Sequence, residues 1–194
     1  MLIEPLALHV VTADLTGRAD ALATIVEAFE GDPACRTLWP ERAAFRRHFP
    51  RFVELFGGPA QVDRTTDGAG AALWLAPGVE VDPEPLMAYL EAKLPEDRKD
   101  ALFAGLEVQA ALHPHEAHWY LPFIGVRAAA QGRGIGAALL AHGLTRADRD
   151  GLPAYLEATS RRSVPLYRRF GFETIGIVES PGYPEIFAMW RPAR

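Results

Sequence analysis

Between His118 and Val126 the chain reads HWYLPFIGV, a nearly continuous apolar run. The segment that follows at 134–150, GIGAALLAHGLTRADRD, returns to apolar residues every three or four positions. The first pattern predicts a strand buried on both faces, and the second an amphipathic helix. Upstream, residues 6–13 predict a short strand. Residues 16–33 predict a helix capped by Thr16, with Leu22, Ile25, Val26 and Phe29 on one face. Residues 39–58 predict a second helix broken near Pro50, whose aromatic face carries Phe45, Phe49, Phe52, Val53 and Phe56. A hairpin over 60–78 turns near Asp67-Gly68, and residues 82–112 predict helix interrupted near Pro95. After Gly151 and Pro153 comes a strand, AYLEA. A short helix follows, capped by Ser163, with Pro165 in its first turn, Arg168 and Arg169 in its last, and Gly171 as its stop. Residues 173–180 and 185–192 predict two final strands. The order is strand, helices, hairpin, helices, then β-α-β-α-β-β, which predicts an α/β (α+β) fold: a mixed sheet with helices on both faces.

Composition narrows the class. The chain has 194 residues, 49% of them hydrophobic and 23% charged, as in a soluble globular protein of one domain. A formal charge of −5 argues against general nucleic-acid or anionic-membrane binding. The single cysteine, Cys35, excludes an internal disulfide and a thiolate metal cluster, and is expected to be a small buried hydrophobe. The N-terminal MLIEPLALHVV has no basic region or cleavage pattern, and no uncharged apolar run is long enough to span a membrane. The expected location is the cytoplasm.

Gly132, Gly134 and Gly136 stand at alternate positions just before the amphipathic helix. One reading is a dinucleotide fingerprint, since Gly132, Gly134 and Ala137 fit G-x-G-x-x-A and Glu157 ends the next strand. Against it, Arg127 to Gln131 separate the strand from the first glycine, and little chain remains for a second mononucleotide-binding half. A second reading is a helix entry with no ligand, which leaves the entropic cost of three glycines unexplained. The third is pyrophosphate binding at a helix N-terminus, where the amides of Gly132 through Ala137 face the anion and Arg127 and Arg133 add charge.

GVRAAAQGRGIGAALL resembles the acetyl-CoA-binding motif Q/R-x-x-G-x-G/A of the GNAT superfamily of N-acetyltransferases, with Gln131, Gly134 and Gly136 in its fixed places. AYLEAT resembles that family's next strand, and VPLYRRFGF its tyrosine-bearing helix. AFEGDPACRTLW, GAALWLAPG and HWYLPFIGV are similar to the puromycin N-acetyltransferase branch. The resemblance implies the GNAT fold: six to seven strands in a mixed sheet, with a bulged fourth strand splaying from the fifth. That accounts for Pro122, since a proline is tolerated beside a bulge. It also implies one domain over 1–194, with an acceptor-site half (1–115) and an acetyl-CoA-binding half (116–194). The backbone of Ile124, Gly125 and Val126 is expected to bond the pantetheine arm. The residues Gln131, Gly132, Arg133, Gly134, Ile135, Gly136 and Ala137 are expected to hold the pyrophosphate. Ser160 takes the place where many relatives carry a CoA-contacting Asn, a departure that puts this contact in doubt.

The implied reaction is acetyl transfer from acetyl-CoA, as co-substrate, to a small-molecule primary amine by direct attack. Glu157 resembles the family's general base, the alternative being a solvated or Arg-paired strand-end carboxylate. A free Glu lies about six pKa units below an alkylammonium, so full proton transfer is uphill by roughly 8 kcal/mol. Glu157 must therefore act with help from its surroundings, through water, or by positioning a neutral amine. Tyr167 resembles the tyrosine facing the CoA sulfur, the alternative being an aromatic packed under its helix. No Ser or Cys nucleophile is placed beside a base, so no acyl-enzyme is expected. The run HPHEAH invites a metal reading through His113, His115 and His118, but the absence of a carboxylate or Cys ligand set disfavours it. His118 and Trp39 are instead expected to line the acceptor site, where an aromatic wall suits a flat or hydrophobic amine. The remaining alternative is a non-catalytic acyl-CoA-binding sensor on the same fold. No metal, nucleic acid or membrane partner is expected, and the chain is expected to act as a monomer or homodimer.

Overall fold

The computed structural model describes residues 8–194. In chain order it has β1 (Val10–Thr12), α1 (Leu15–Ala28), α2 (Pro33–Leu38), α3 (Arg42–Gly57), β2 (Gln61–Thr65), β3 (Gly70–Leu75), α4 (Pro83–Lys93), α5 (Glu96–Leu112) and β4 (Trp119–Val126). A 3-10 turn (Ala128–Ala130) leads to α6 (Ile135–Asp150), β5 (Ala154–Ala158), α7 (Val164–Arg169), β6 (Glu173–Val178) and β7 (Ile186–Arg191). The strands form one seven-stranded sheet in the order β1-β2-β3-β4-β5-β7-β6. Only β4 and β5 pair in parallel, because α6 carries the chain back between them. The expected strand at 6–13 is confined to Val10–Thr12, with Leu6 and Ala7 outside the described residues, as is most of the MLIEPLALHVV segment.

The two faces of the sheet carry separate cores. On one side α6 and α7 bury Leu139, Leu140, Leu144 and Tyr167 against Trp74, Leu121 and Leu156. On the other, α1 to α5 bury Ile25, Phe45, Phe49 and Leu90 against Leu73 and Phe123. Alternation along β3 divides its residues between these layers, Ala72 and Trp74 facing α6 while Ala71, Leu73 and Leu75 face the opposite helices. The α6 helix is further anchored by Arg146, whose guanidinium donates to both oxygens of fully buried Asp63 at 3.0 and 2.5 Å. A bidentate pair of this kind fixes orientation as well as charge.

Close packing of α6 is also visible at Gly143, where a Cβ would lie 2.1 Å from Trp74 Nε1. Gly143→Ala should therefore destabilise the protein by about 1–3 kcal/mol through overpacking, although alanine is the better helix former. Thermal or urea unfolding without ligand checks this; an unchanged or raised midpoint would mean that Trp74 yields freely.

Three local expectations are corrected. Asp14, not Thr16, caps α1, because its side chain accepts from Gly17 N at 2.8 Å. The α3 helix continues through Pro50; packing of Phe45, Phe49 and Val53 in the core outweighs the one backbone bond that proline removes. Ser163 makes no side-chain cap on α7, its hydroxyl donating instead to Ser160 O at 2.8 Å. Among the described residues, no helix is long and apolar enough to cross a membrane.

Candidate active site

Pairing between β4 and β5 covers only Trp119↔Ala154, Tyr120↔Tyr155 and Leu121↔Leu156. Beyond Leu121 the strands separate. The cause lies one strand over, where Leu73 faces Phe123 but Leu75 faces Tyr120, so β4 carries one extra residue around Leu121-Pro122. Such a bulge bends its strand and leaves a residue unpaired, a place proline can occupy. It also inverts the alternation: Trp119 and Leu121 face the α6 core, whereas Phe123 faces the opposite one. Among the described residues, the backbone edge from Pro122 to Val126 that faces β5 consequently has no strand partner.

A cavity of about 160 Å³ occupies this split. Ile124, Gly125 and Val126 form one wall and Glu157, Thr159, Ser160 and Tyr167 another, with Gln131 at one end. Gln131 Nε2 donates to Val126 O at 3.1 Å, tying the loop to the strand. Gly132 and Gly134 adopt φ of +77° and +81°, the left-handed region that favours glycine. The first intrahelical bond shown at this end runs from Ala138 N to Gly134 O, which leaves the amides of Ile135, Gly136 and Ala137 free at the positive end of a 16-residue helix. Ile135 is buried, so only its amide can serve a ligand, whereas Arg133 is exposed. Arg127 is engaged by Glu27 at 3.2 Å.

Tyr167 lines the split from α7, and burial, together with the nearby Asp32 charge, pushes its phenol up to about 12 despite a counteracting bond from Ser163. Asp32, the cap of α2, accepts from Ala34 N, Cys35 N and Thr159 Oγ1, and its burial raises its carboxyl above the usual range.

Glu157 projects to the other face of β5. Tyr120 and Gln109 donate to its Oε2 at 2.7 and 2.8 Å, and Tyr155 donates to its Oε1 at 3.0 Å. Tyr183 in turn donates to Gln109 Oε1 at 2.6 Å. Burial first, then the neighbouring carboxylate, raises the phenols of Tyr120, Tyr155 and Tyr183 above their ordinary value, so all three remain neutral donors. Half-exposed His113 approaches Glu157 Oε1 at 3.9 Å. A second cavity, also about 160 Å³, opens from Glu157 between α2, α3, α4 and α5. Both cavities are lined by Pro122, Glu157 and Thr159.

The structure brings the expected residues Ile124 to Val126, Gln131, Glu157, Ser160 and Tyr167 together around the split. It does not bring Trp39 or His118, both expected at an acceptor site, to the wall of the second cavity. Trp39 is 1% exposed, stacked on His48 and edge-to-face with Phe52 behind the cavity wall, because α2 turns it inward. His118 lies before β4, donating from Nδ1 to Glu116 O at 2.7 Å and packing on Tyr155 and Trp190. The histidine nearest Glu157 is His113, which the sequence presented only as a metal-ligand candidate. Among the described residues, no cluster of three or more His, Cys, Asp or Glu is arranged to hold a metal. Cys35 is buried as expected, and it borders the second cavity. Sequence reasoning missed Gln109, Tyr120, Tyr155 and Tyr183. Of these, only Tyr155 left a signal, two positions before Glu157 and hence on the same strand face.

The acetyltransferase (GNAT) family model matches residues 44–172. An uncharacterized N-acetyltransferase of Schizosaccharomyces pombe is 29% identical over 170 residues, 78% of this chain and 69% of that protein. Among solved structures, one described as histone acetyltransferase HPA2 and related acetyltransferase, from Corynebacterium glutamicum, superposes with a TM-score of 0.68 at 29% identity, covering 97% of this chain and 98% of that one. Arylalkylamine N-acetyltransferase 2 from Aedes aegypti shares the fold at 16% identity, with a TM-score of 0.65 and coverage of 97% and 100%. A split between parallel strands, a glycine loop opening a long helix and a family match across most of the chain lead to one assignment: the protein belongs to the GNAT acetyltransferase family.

Proposed function

We propose that the protein transfers an acetyl group from acetyl-CoA to a small-molecule primary amine by direct attack, acting in the cytoplasm as a monomer or homodimer. The observation that carries this reading is the meeting of the two cavities at Glu157, Pro122 and Thr159. A thioester in the split and an amine in the second cavity would approach each other there from opposite sides. The split fits the donor: an unpaired strand edge can bond the pantetheine amides, and the free amides of Ile135 to Ala137 suit a pyrophosphate. In this arrangement residues 116–194 hold acetyl-CoA and residues 1–115 supply most of the acceptor wall. The motifs similar to puromycin N-acetyltransferases belong with this reading as a proposed branch, without assigning the amine.

In the reaction the amine nitrogen bonds to the thioester carbonyl carbon as the carbon–sulfur bond breaks. One proton of the neutral amine passes to Glu157, directly or through water, and CoA leaves as its thiolate, which then takes a proton from solvent while Glu157 returns its own to solvent. Glu157 anchors the amine, and three neutral donors hold its carboxylate in place. Tyr167 serves the departing sulfur. With its phenol near 12 and a thiol near 8.5, complete proton transfer would cost about 5 kcal/mol, so donation of a hydrogen bond is the better role.

Tyr167→Phe should accordingly lower kcat by about 10- to 150-fold, the equivalent of losing one hydrogen bond to a charged group, about 1.5–3 kcal/mol. The KM for acetyl-CoA should change little, since the ring keeps its packing. Native kcat in the variant would remove the hydroxyl from the mechanism. Binding is tested by thermal unfolding: acetyl-CoA at a hundred times its Kd should add about 2.7 kcal/mol, while NADH adds nothing. Stabilisation by NADH alone would overturn the donor assignment, and thiol release from acetyl-CoA on adding amines tests the transfer itself.

A further inference from the structure

We infer that the acceptor is a monocationic arylalkylamine: one aromatic ring, a short alkyl linker and a single amine, with no carboxylate or second ammonium. This rests on the amine-acetylation reading above and concerns the cavity on the far side of Glu157.

Charge is the first constraint. Among the described residues lining this cavity, Glu157 alone carries a charged side chain. It can anchor one ammonium. A substrate carboxylate would find no Arg or Lys on the wall, and a second ammonium would find no second acid, so either would be desolvated without a partner.

Hydrogen bonding is the second constraint. The polar side chains on the wall are already engaged: Gln109 donates to Glu157 and accepts from Tyr183, Tyr120 donates to Glu157, and Thr159 donates to Asp32 behind the wall. The hydroxyl hydrogens of Tyr120, Tyr183 and Thr159 are thus committed, so a substituent that must accept from one of them would displace a bond already made, whereas an apolar body leaves all of them intact.

Shape is the third. The remaining wall is apolar, with Phe52, Phe56, Met87, Leu90, Leu106 and Phe123 prominent. Around Phe123, the rings of Phe49, Phe52 and Phe56 are set edge-to-face at 6.3, 6.2 and 5.6 Å. An aromatic ring extends such a lattice in its preferred geometry, which a linear alkyl chain cannot do. The volume of about 160 Å³ is close to that of an apolar cavity of about 150 Å³ known to hold benzene, so one aromatic ring fits.

The test is initial-rate thiol release with acetyl-CoA and a panel of amines: hexylamine, phenylalanine, 1,4-diaminobutane and the arylalkylamine phenethylamine. Phenethylamine should be acetylated more efficiently, by kcat/KM, than phenylalanine or 1,4-diaminobutane by on the order of 100-fold, the penalty of one unpaired buried charge. It should also be acetylated more efficiently than hexylamine. Met87→Trp, which fills the cavity from α4, should raise KM for phenethylamine at least about tenfold while KM for acetyl-CoA stays unchanged. Comparable efficiency with phenylalanine or 1,4-diaminobutane would overturn the inference and leave amine acetylation standing. Preference for hexylamine would overturn the ring. Stabilisation by acetyl-CoA with no thiol release for any amine would overturn the underlying reading itself.

Discussion

Glu157→Gln should lower kcat/KM by about 10²- to 10⁴-fold, the range a positioned general base contributes. The substitution keeps size and shape but removes both the negative charge that anchors the amine and the site that takes its proton. It also replaces a carboxylate accepting from Tyr120, Gln109 and Tyr155 with an amide that has only one acceptor oxygen. The phenolic hydroxyls can rotate to accept from the new NH2 group, so the fold should persist and the loss should appear in turnover. The deficit should be greatest at low pH and narrow as pH rises toward the alkylammonium value near 10.4, where the amine arrives neutral and needs no base. A pH–rate profile measured on both proteins with the best amine decides the matter. Parallel profiles offset by less than tenfold would assign Glu157 to structure.

Gly134→Glu should weaken acetyl-CoA binding by about a thousandfold or more. The new carboxylate would stand at the entrance to α6, where the free amides point, and a like-charge contact at 4 Å near a protein surface costs about 4 kcal/mol. Backbone strain contributes separately, because a side chain at φ +81° carries a penalty of about 1–2 kcal/mol. Gly134→Ala isolates that part: its Cβ would meet no neighbouring heavy atom within 4 Å, so the alanine protein should lose that much stability and little affinity. Calorimetric titration with acetyl-CoA, paired with unfolding of both variants, separates the two effects. Undiminished affinity in the glutamate protein would place the pyrophosphate elsewhere.

Most of the elements were legible because their causes are local. The α6 stripe of Ile135, Leu139, Leu140 and Leu144, the hairpin turn at Asp67-Gly68 and the break between α4 and α5 each follow from spacing within a few residues. The glycine loop was legible for the same reason: a helix entry with two residues at positive φ needs glycine, whatever the rest of the chain does. Where neighbouring choices nearly balance, local reasoning failed. Asp14 and Thr16 both qualify as caps, and only the geometry of the approaching chain selects Asp14. Pro50 costs α3 a bond, and tertiary packing of its aromatic face overrides that cost.

What the sequence by itself determined was therefore the order of elements apart from α2, the glycine loop and the presence of Glu157 at the end of a strand, all set by interactions between residues close in the chain. What the tertiary structure alone decided was the company Glu157 keeps. Tyr120 and Gln109 lie 37 and 48 positions from it, and Tyr183 lies 74 from Gln109. Their convergence depends on the register between β4 and β5, on the extra residue in β4 and on how α5 crosses the sheet. The same long-range packing turned Trp39 into the core and left His113 beside the carboxylate. Periodicity can say which face of an element is buried, but a one-residue bulge reverses that face for everything beyond it. The bulge shows in the pairing of β3 with β4, two strands more than forty residues apart in the chain.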